Sequence, residues 1–199
     1  EATGKVGQGQ DFDGSDDNIS LPDIDNSDFT LSLIIKADTI TGDERTLLSK
    51  YQGATGADRE WLWRILSDGE LQFLTHDGTN QTLLNSTNAS IGTGTYYYVT
   101  VVYDRTNDSA TFYKNGAALT DDSVTLSKTQ NTTKIITIGH WTTNDPFDGI
   151  KDEICISGTK RTAAWIKATY NSLWDTLLTY GSEETEEEKA NVVWFGTNF

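Results

Sequence analysis

Apolar and polar residues alternate with a period of two along most of this chain, and that rhythm restricts the fold more than any other feature. In Phe29-Thr-Leu-Ser-Leu-Ile-Ile-Lys36, the side chains of Phe29, Leu31, Leu33 and Ile35 share one face, as a half-buried strand requires. Trp61-Leu-Trp-Arg-Ile65 and Glu70-Leu-Gln-Phe-Leu-Thr75 flank Ser67-Asp-Gly69, which reads as a hairpin across an Asp-Gly turn. Tyr96-Tyr-Tyr-Val-Thr-Val-Val-Tyr103 is a long aromatic and β-branched strand. It turns into Ala110-Thr-Phe-Tyr-Lys114, and Asn115-Gly116 makes the next turn. Further strands are expected at Lys134-Ile-Ile-Thr-Ile138 and over 149–156. Helical spacing is nearly absent before residue 160. The pattern predicts an all-β, antiparallel sandwich.

One helix is expected over 163–174, capped by Thr162, with Trp165, Ile166, Tyr170 and Leu173 as an apolar stripe packing on the sandwich edge. Residues 182–189 form an acidic run that reads as a solvated linker. Ala190-Asn-Val-Val-Trp-Phe195 then reads as a strand that returns to the sandwich or opens a next module. The expected domain spans 1–181, and 182–199 is linker plus strand.

Charge narrows the partners. The 199 residues carry 30 acidic and 15 basic side chains, a net charge of −15. A phosphate-binding surface needs clustered Lys and Arg, so nucleic acid is disfavoured, as is docking on anionic lipid. No apolar run approaches the roughly 20 residues of a membrane span. Cys155 is the only cysteine, so no intrachain disulfide forms, and Met is absent even at position 1. The chain is therefore expected to be part of a longer, processed protein. Its Asp/Asn/Thr/Gly-rich character is common among secreted or cell-surface proteins.

Four segments, in order, resemble the laminin-G-like, concanavalin A-like jelly-roll family of surface proteins. They are Gly4-Lys-Val-Gly-Gln-Gly-Gln-Asp-Phe-Asp-Gly-Ser-Asp-Asp17; Asp28-Phe-Thr-Leu-Ser-Leu-Ile-Ile-Lys36; Tyr96 to Asp104 with Phe112-Tyr-Lys-Asn-Gly116; and Phe147-Asp-Gly-Ile-Lys-Asp-Glu-Ile-Cys-Ile156 followed by Arg161-Thr-Ala-Ala-Trp165. The resemblance implies two curved sheets, a concave face and loop rims. It also implies a non-catalytic binding or adhesion module, for carbohydrate first and protein second, with structural calcium in many members. Two departures stand out: Lys151 and Cys155 replace the family's usual Ile and Arg.

Candidate sites follow from residue chemistry within that frame. Asp11, Asp13, Asp16, Asp17 and Asn18 crowd one loop containing Gly14. Hard divalent cations take several oxygen ligands from such a loop. The family frame brings Asp152 to this turn as well, so the expected calcium set is Asp13, Gly14, Asp16, Asp17 and Asp152; turn-making by these aspartates is the alternative. Sugars are held by aromatic faces flanked by planar polar groups. Tyr98 occupies a position that the resemblance puts on the concave face. His140, Trp141 and Asn144 combine aromatic and polar groups in one loop. Trp61 and Trp63 are expected in the core. Catalysis by a glycosidase carboxylate pair is not expected, because no E-x-D-x-x-E arrangement occurs. A structural or assembly module of a surface appendage or virion is the remaining reading.

Overall fold

A computed structural model describes residues 1–24, 28–53, 55–141 and 145–176. The strands expected up to residue 156 form, and they stack as two antiparallel sheets; the strand expected over 190–195 lies outside the described residues. The seven-stranded sheet runs in the order β1 (Ala2–Thr3), β2 (Gln8–Asp13), β13 (Asp148–Ser157), β4 (Phe29–Ala37), β9 (Tyr97–Asp104), β10 (Ser109–Lys114), β11 (Ala117–Ala118). The six-stranded sheet runs β3 (Ile19–Leu21), β12 (Ile136–Ile138), β5 (Arg45–Tyr51), β6 (Arg59–Ile65), β7 (Leu71–His76), β8 (Gln81–Asn85).

The alternating residues meet between the sheets. Phe29, Leu31, Leu33 and Ile35 of β4 and Val99, Val101 and Tyr103 of β9 face Trp61, Trp63, Ile65, Leu71 and Phe73 across the core. Phe29 packs its ring 5.4 Å from Trp61 and 5.1 Å from Tyr103, between centroids. Trp61 and Trp63 are core residues, as their shared face predicts. Strand β5 escaped the sequence reading because a bulge between Thr46 and Leu48 breaks its alternation.

The helix α1 spans Ala163–Leu173, and Thr162 caps it by accepting from the Trp165 amide. It covers the outer face of the seven-stranded sheet on the side of β9 to β11. Ile166 is fully buried there against Ile34, Tyr98, Val102 and Tyr113. Burial of one isoleucine stabilises this layer by about 1.5–3 kcal/mol. β4 and β9 are therefore buried on both faces, the inner one apolar throughout and the outer one mixing Ile34, Tyr98 and Val102 with Thr30, Ser32 and Thr100.

Lys151 is the anomaly of the core. On β13 it faces inward and is fully buried. Its Nζ donates to the carbonyls of Thr46 at 2.8 Å and Leu47 at 2.9 Å, both at the β5 bulge. The rings of Phe147 and Phe12 lie 4.3 and 4.7 Å from the same nitrogen. A lysine thus joins the two sheets where the family pattern has an isoleucine. Burial holds its pKa well below the ordinary lysine value.

Candidate functional site

Helix α1 closes one outer face of the sandwich; the other, on the six-stranded sheet, carries a patterned set of side chains. Register places Leu62, Leu74 and Leu83 side by side on β6, β7 and β8, and Arg64, Gln72 and Asn85 in the next row. The polar row is wired in sequence. Arg64 Nε donates to Gln72 Oε1 at 2.8 Å, Gln72 Nε2 to Asn85 Oδ1 at 2.7 Å, and Asn85 Nδ2 to Asp122 Oδ2 at 2.9 Å. The result is a planar guanidinium and two planar amides held in fixed orientation along neighbouring strands.

Aromatic groups flank the apolar row. Tyr51, Leu62 and Leu74 are buried, with Leu83 and Trp141 packed on them. Trp141 meets Tyr51 edge to face at 5.2 Å. Its Nε1 donates to Asp145 Oδ2 at 2.9 Å, and the same oxygen accepts from Arg64 Nη1 at 3.0 Å. Tyr51 donates its hydroxyl to Gln81 Oε1 at 2.7 Å and carries Arg59 over its ring at 5.0 Å. Burial raises the Tyr51 pKa, with Arg59 and Arg64 opposing, so it stays a phenol and a donor. His76 completes this end. Its Nδ1 accepts from the Gly78 amide, so the neutral ring carries its proton on Nε2. Burial, aided by Arg59 and opposed by Asp77, lowers its pKa.

The accessible side chains of this face include Arg64, Gln81, Leu83, Asn85 and Trp141, while Tyr51 and Gln72 are buried. Of the residues singled out from the sequence and described in the structure, Trp141 alone lies on it. His140 is directed elsewhere. Burial lowers its pKa first, then Lys151, with Asp16 opposing, so its charged neighbours lie toward the acidic loop. Asn144 lies outside the described residues, as do residues 182–199. Tyr98 requires a correction: it is 1% exposed beneath α1 and offers no open face. The family position predicted a concave surface, but α1 covers this sheet.

The acidic loop forms a second site. Asp13, Asp16 and Asp17 each present a carboxylate oxygen within 4.8 Å of the others, all exposed. Asp13 Oδ1 accepts from the Ser15 amide, and Asp17 Oδ2 from the Asp13 amide. Among the described residues, no Lys or Arg pairs with these three. This loop could hold a metal ion. Asp152 does not join it, which corrects the expected set. Asp148, not Asp152, stands opposite Asp13, and four residues of strand separate the two, about 13 Å. Asp152 instead accepts from the amides of Val6 and Glu153, both at 2.8 Å. Those two donors satisfy a largely buried carboxylate without a cation. Gly14 takes a left-handed φ of +73°, and a Cβ there would sit 2.9 Å from the Asp148 Cβ, so the turn needs glycine.

Sequence reading missed Tyr51, Arg64, Gln72 and Asn85. The signal was present in the residues between the core positions. Pairing the 61–65 and 71–75 strands across Asp68-Gly69 sets Arg64 opposite Gln72 on the face away from Trp63.

Comparison with known proteins places the fold. No curated protein matches the chain. Among solved structures, domain 4 of AbnA, a GH43 extracellular arabinanase from Geobacillus stearothermophilus, in complex with arabinotriose, aligns with a TM-score of 0.66 at 19% identity, covering 83% of this chain and 78% of that one. The CBM40 of the Ruminococcus gnavus IT-sialidase, bound to α2,3 sialyllactose, aligns at TM-score 0.62 and 14% identity, covering 82% and 96%. The native heptameric SAP-like pentraxin of Limulus polyphemus aligns at 0.61 and 14%, covering 80% of each chain. The family model described as the concanavalin A-like lectin/glucanases superfamily matches residues 13–186, and the chain belongs to that superfamily.

Proposed function

We propose that this domain is a non-catalytic, extracellular binding and adhesion module, and that carbohydrate is its ligand. The observation that carries this reading is the outer face of the six-stranded sheet. Arg64 and Asn85, oriented through the buried Gln72 amide between them, present planar polar groups beside Trp141 and Leu83, which pack on the buried Tyr51. Planar hydrogen-bonding groups next to aromatic and aliphatic surface match the alternating hydroxyl and C–H faces of a sugar ring. The similar arabinanase and sialidase domains, whose structures hold arabinotriose and sialyllactose, support the same ligand class. The carboxylates at the polar row are already engaged, Glu44 and Asp145 with Arg64 and Asp122 with the Asn85 amides, which suits binding better than proton transfer to a glycosidic oxygen.

The ion we assign to the Asp13, Asp16 and Asp17 loop is Ca²⁺. Exposed carboxylates on a turn suit a hard cation with flexible coordination. Its role is to pin the β2 turn beside β13. The domain is read as residues 1–181 of a longer surface or secreted chain.

A protein-binding or assembly role is the second reading. It is favoured by the way Arg64 is already satisfied within the domain by Gln72, Asp145 and Glu44. Glycan-array binding, with and without chelator, separates the two. Binding that is lost in Arg64→Ala and Trp141→Ala supports the lectin reading. Silence on glycans together with self-association supports the assembly reading.

A further inference from the structure

Three ionisable side chains from separate segments meet inside the far end of the six-stranded sheet, and neither candidate site uses them. Lys50 ends β5 with a side chain that is 0% exposed. Its Nζ lies 2.6 Å from Asp23 Oδ1 and 2.9 Å from Glu60 Oε2. Asp23 follows β3, two strands away in the sheet, and Glu60 lies on β6 with its side chain 4% exposed. The contacts of Lys50 with Asp23 and with Glu60 are ion pairs outside hydrogen-bond angles: Nζ and Asp23 Oδ1 are both buried, and neither makes a hydrogen bond. Glu60 Oε2 accepts from the amide and hydroxyl of Thr132, which fixes its carboxylate against the amine.

We propose that Lys50 and Asp23 condense into an intramolecular isopeptide bond, with Glu60 as the proton carrier. An amine and a carboxyl group do not join in water, where each is solvated and free to separate. Held in contact, paired groups react as if at about 10⁵–10⁸ M, and here the amine and Asp23 Oδ1 are buried while the Asp23 side chain as a whole is 27% exposed. Burial favours the uncharged amine, and the two carboxylates more than offset it, so the resting state is an ammonium. Proton transfer therefore comes first, to Glu60. The freed Nζ lone pair then forms the C–N bond to Cγ of Asp23. Glu60 returns its proton to the departing Asp23 oxygen and relays a second one, lost from Nζ as the amide forms. The C–O bond breaks and that oxygen leaves as water. The two charges cancel, Glu60 ends as it began, and no co-reactant is consumed. The product ties the segment after β3 to the end of β5, across β12. This inference does not depend on what the ligand face binds.

Intact-mass measurement of the purified, denatured chain tests it. The expected mass is one water below the sequence mass. Trypsin should then fail to cut after Lys50 and should release residues 46–59 joined to residues 6–36. Lys50→Arg keeps the positive charge but cannot form the amide, and Glu60→Gln keeps the contact but removes the proton carrier. Both should show the full sequence mass, with folding verified by circular dichroism. A wild-type chain at full mass, cleaved after Lys50, overturns the proposal. So does a water loss that persists in Lys50→Arg, since aspartyl dehydration at an Asp-Gly turn would then explain it.

Discussion

Replacing Lys151 with methionine perturbs the one polar group that spans the core. Methionine has similar length and packs as well against Phe12 and Phe147, so the apolar contacts survive. What is lost is the donor to Thr46 and Leu47. The Leu47 carbonyl retains a long hydrogen bond from the Gly139 amide at 3.4 Å, so the larger penalty falls on Thr46. Orphaning buried carbonyls costs about 1–3 kcal/mol each, which sets the loss at about 2–4 kcal/mol at pH above the ordinary lysine value, where wild type no longer bears the cost of deprotonating Lys151 on folding. For a chain of this size that is a fall in Tm of roughly 5–15 °C. The pH dependence adds a second signature. Because the folded state holds the Lys151 pKa well below its unfolded value, the unfolded chain binds the extra proton between those two values. Wild-type stability therefore rises with pH across that window, and the methionine variant lacks this slope. Calorimetry of both proteins at neutral and alkaline pH reads both effects. A variant as stable as wild type at alkaline pH, or a difference that does not shift in favour of wild type as pH rises, would refute the tether.

Three further outcomes are expected. Calcium should raise Tm and chelator should reverse it, in proportion to a ligand bound only by the folded state, about 2.7 kcal/mol at a hundredfold excess over Kd; Asp16→Asn with Asp17→Asn should abolish the response, and an unchanged melt with no metal in elemental analysis would remove the ion from the account. Ile166→Ala should cost about 2–5 kcal/mol in denaturant unfolding, because the side chain is enclosed between α1 and the sheet. Asp104 is held down to about 2 by the hydrogen bond from Lys160, with Asn107 assisting. Its contribution is present above the unfolded carboxyl value and lost as pH falls through about 2; Lys160→Ala should move its NMR titration up toward the ordinary range.

Much of the sandwich was legible because inward residues repeat every second position, as in Phe29 to Ile35 and Val99 to Tyr103. β5 was not, since its bulge at Thr46 to Leu48 shifts the rhythm by one residue. The acidic loop was visible as a run of aspartates, and Asp13, Asp16 and Asp17 do converge. Asp152 looked like a fourth member because parity alone does not state which residue of β13 stands opposite Asp13. Tyr98 was misplaced for a related reason. Alternation reveals which residues leave the core, but not that a helix sixty-odd residues later will cover them. Arg64, Gln72 and Asn85 are ordinary polar strand residues one at a time. Only the pairing of β6, β7 and β8 turns them into a row.

Sugar is proposed to bind on the outer face of the six-stranded sheet. Backbone and side-chain NMR of the chain, titrated with the best oligosaccharide from the glycan array, tests it most directly. The expected shifts concentrate on the Arg64 guanidinium, the Asn85 amide and the Trp141 indole, the accessible groups of that face. Shifts that gather around α1 instead, or no saturable shifts with any array-positive sugar, would contradict it.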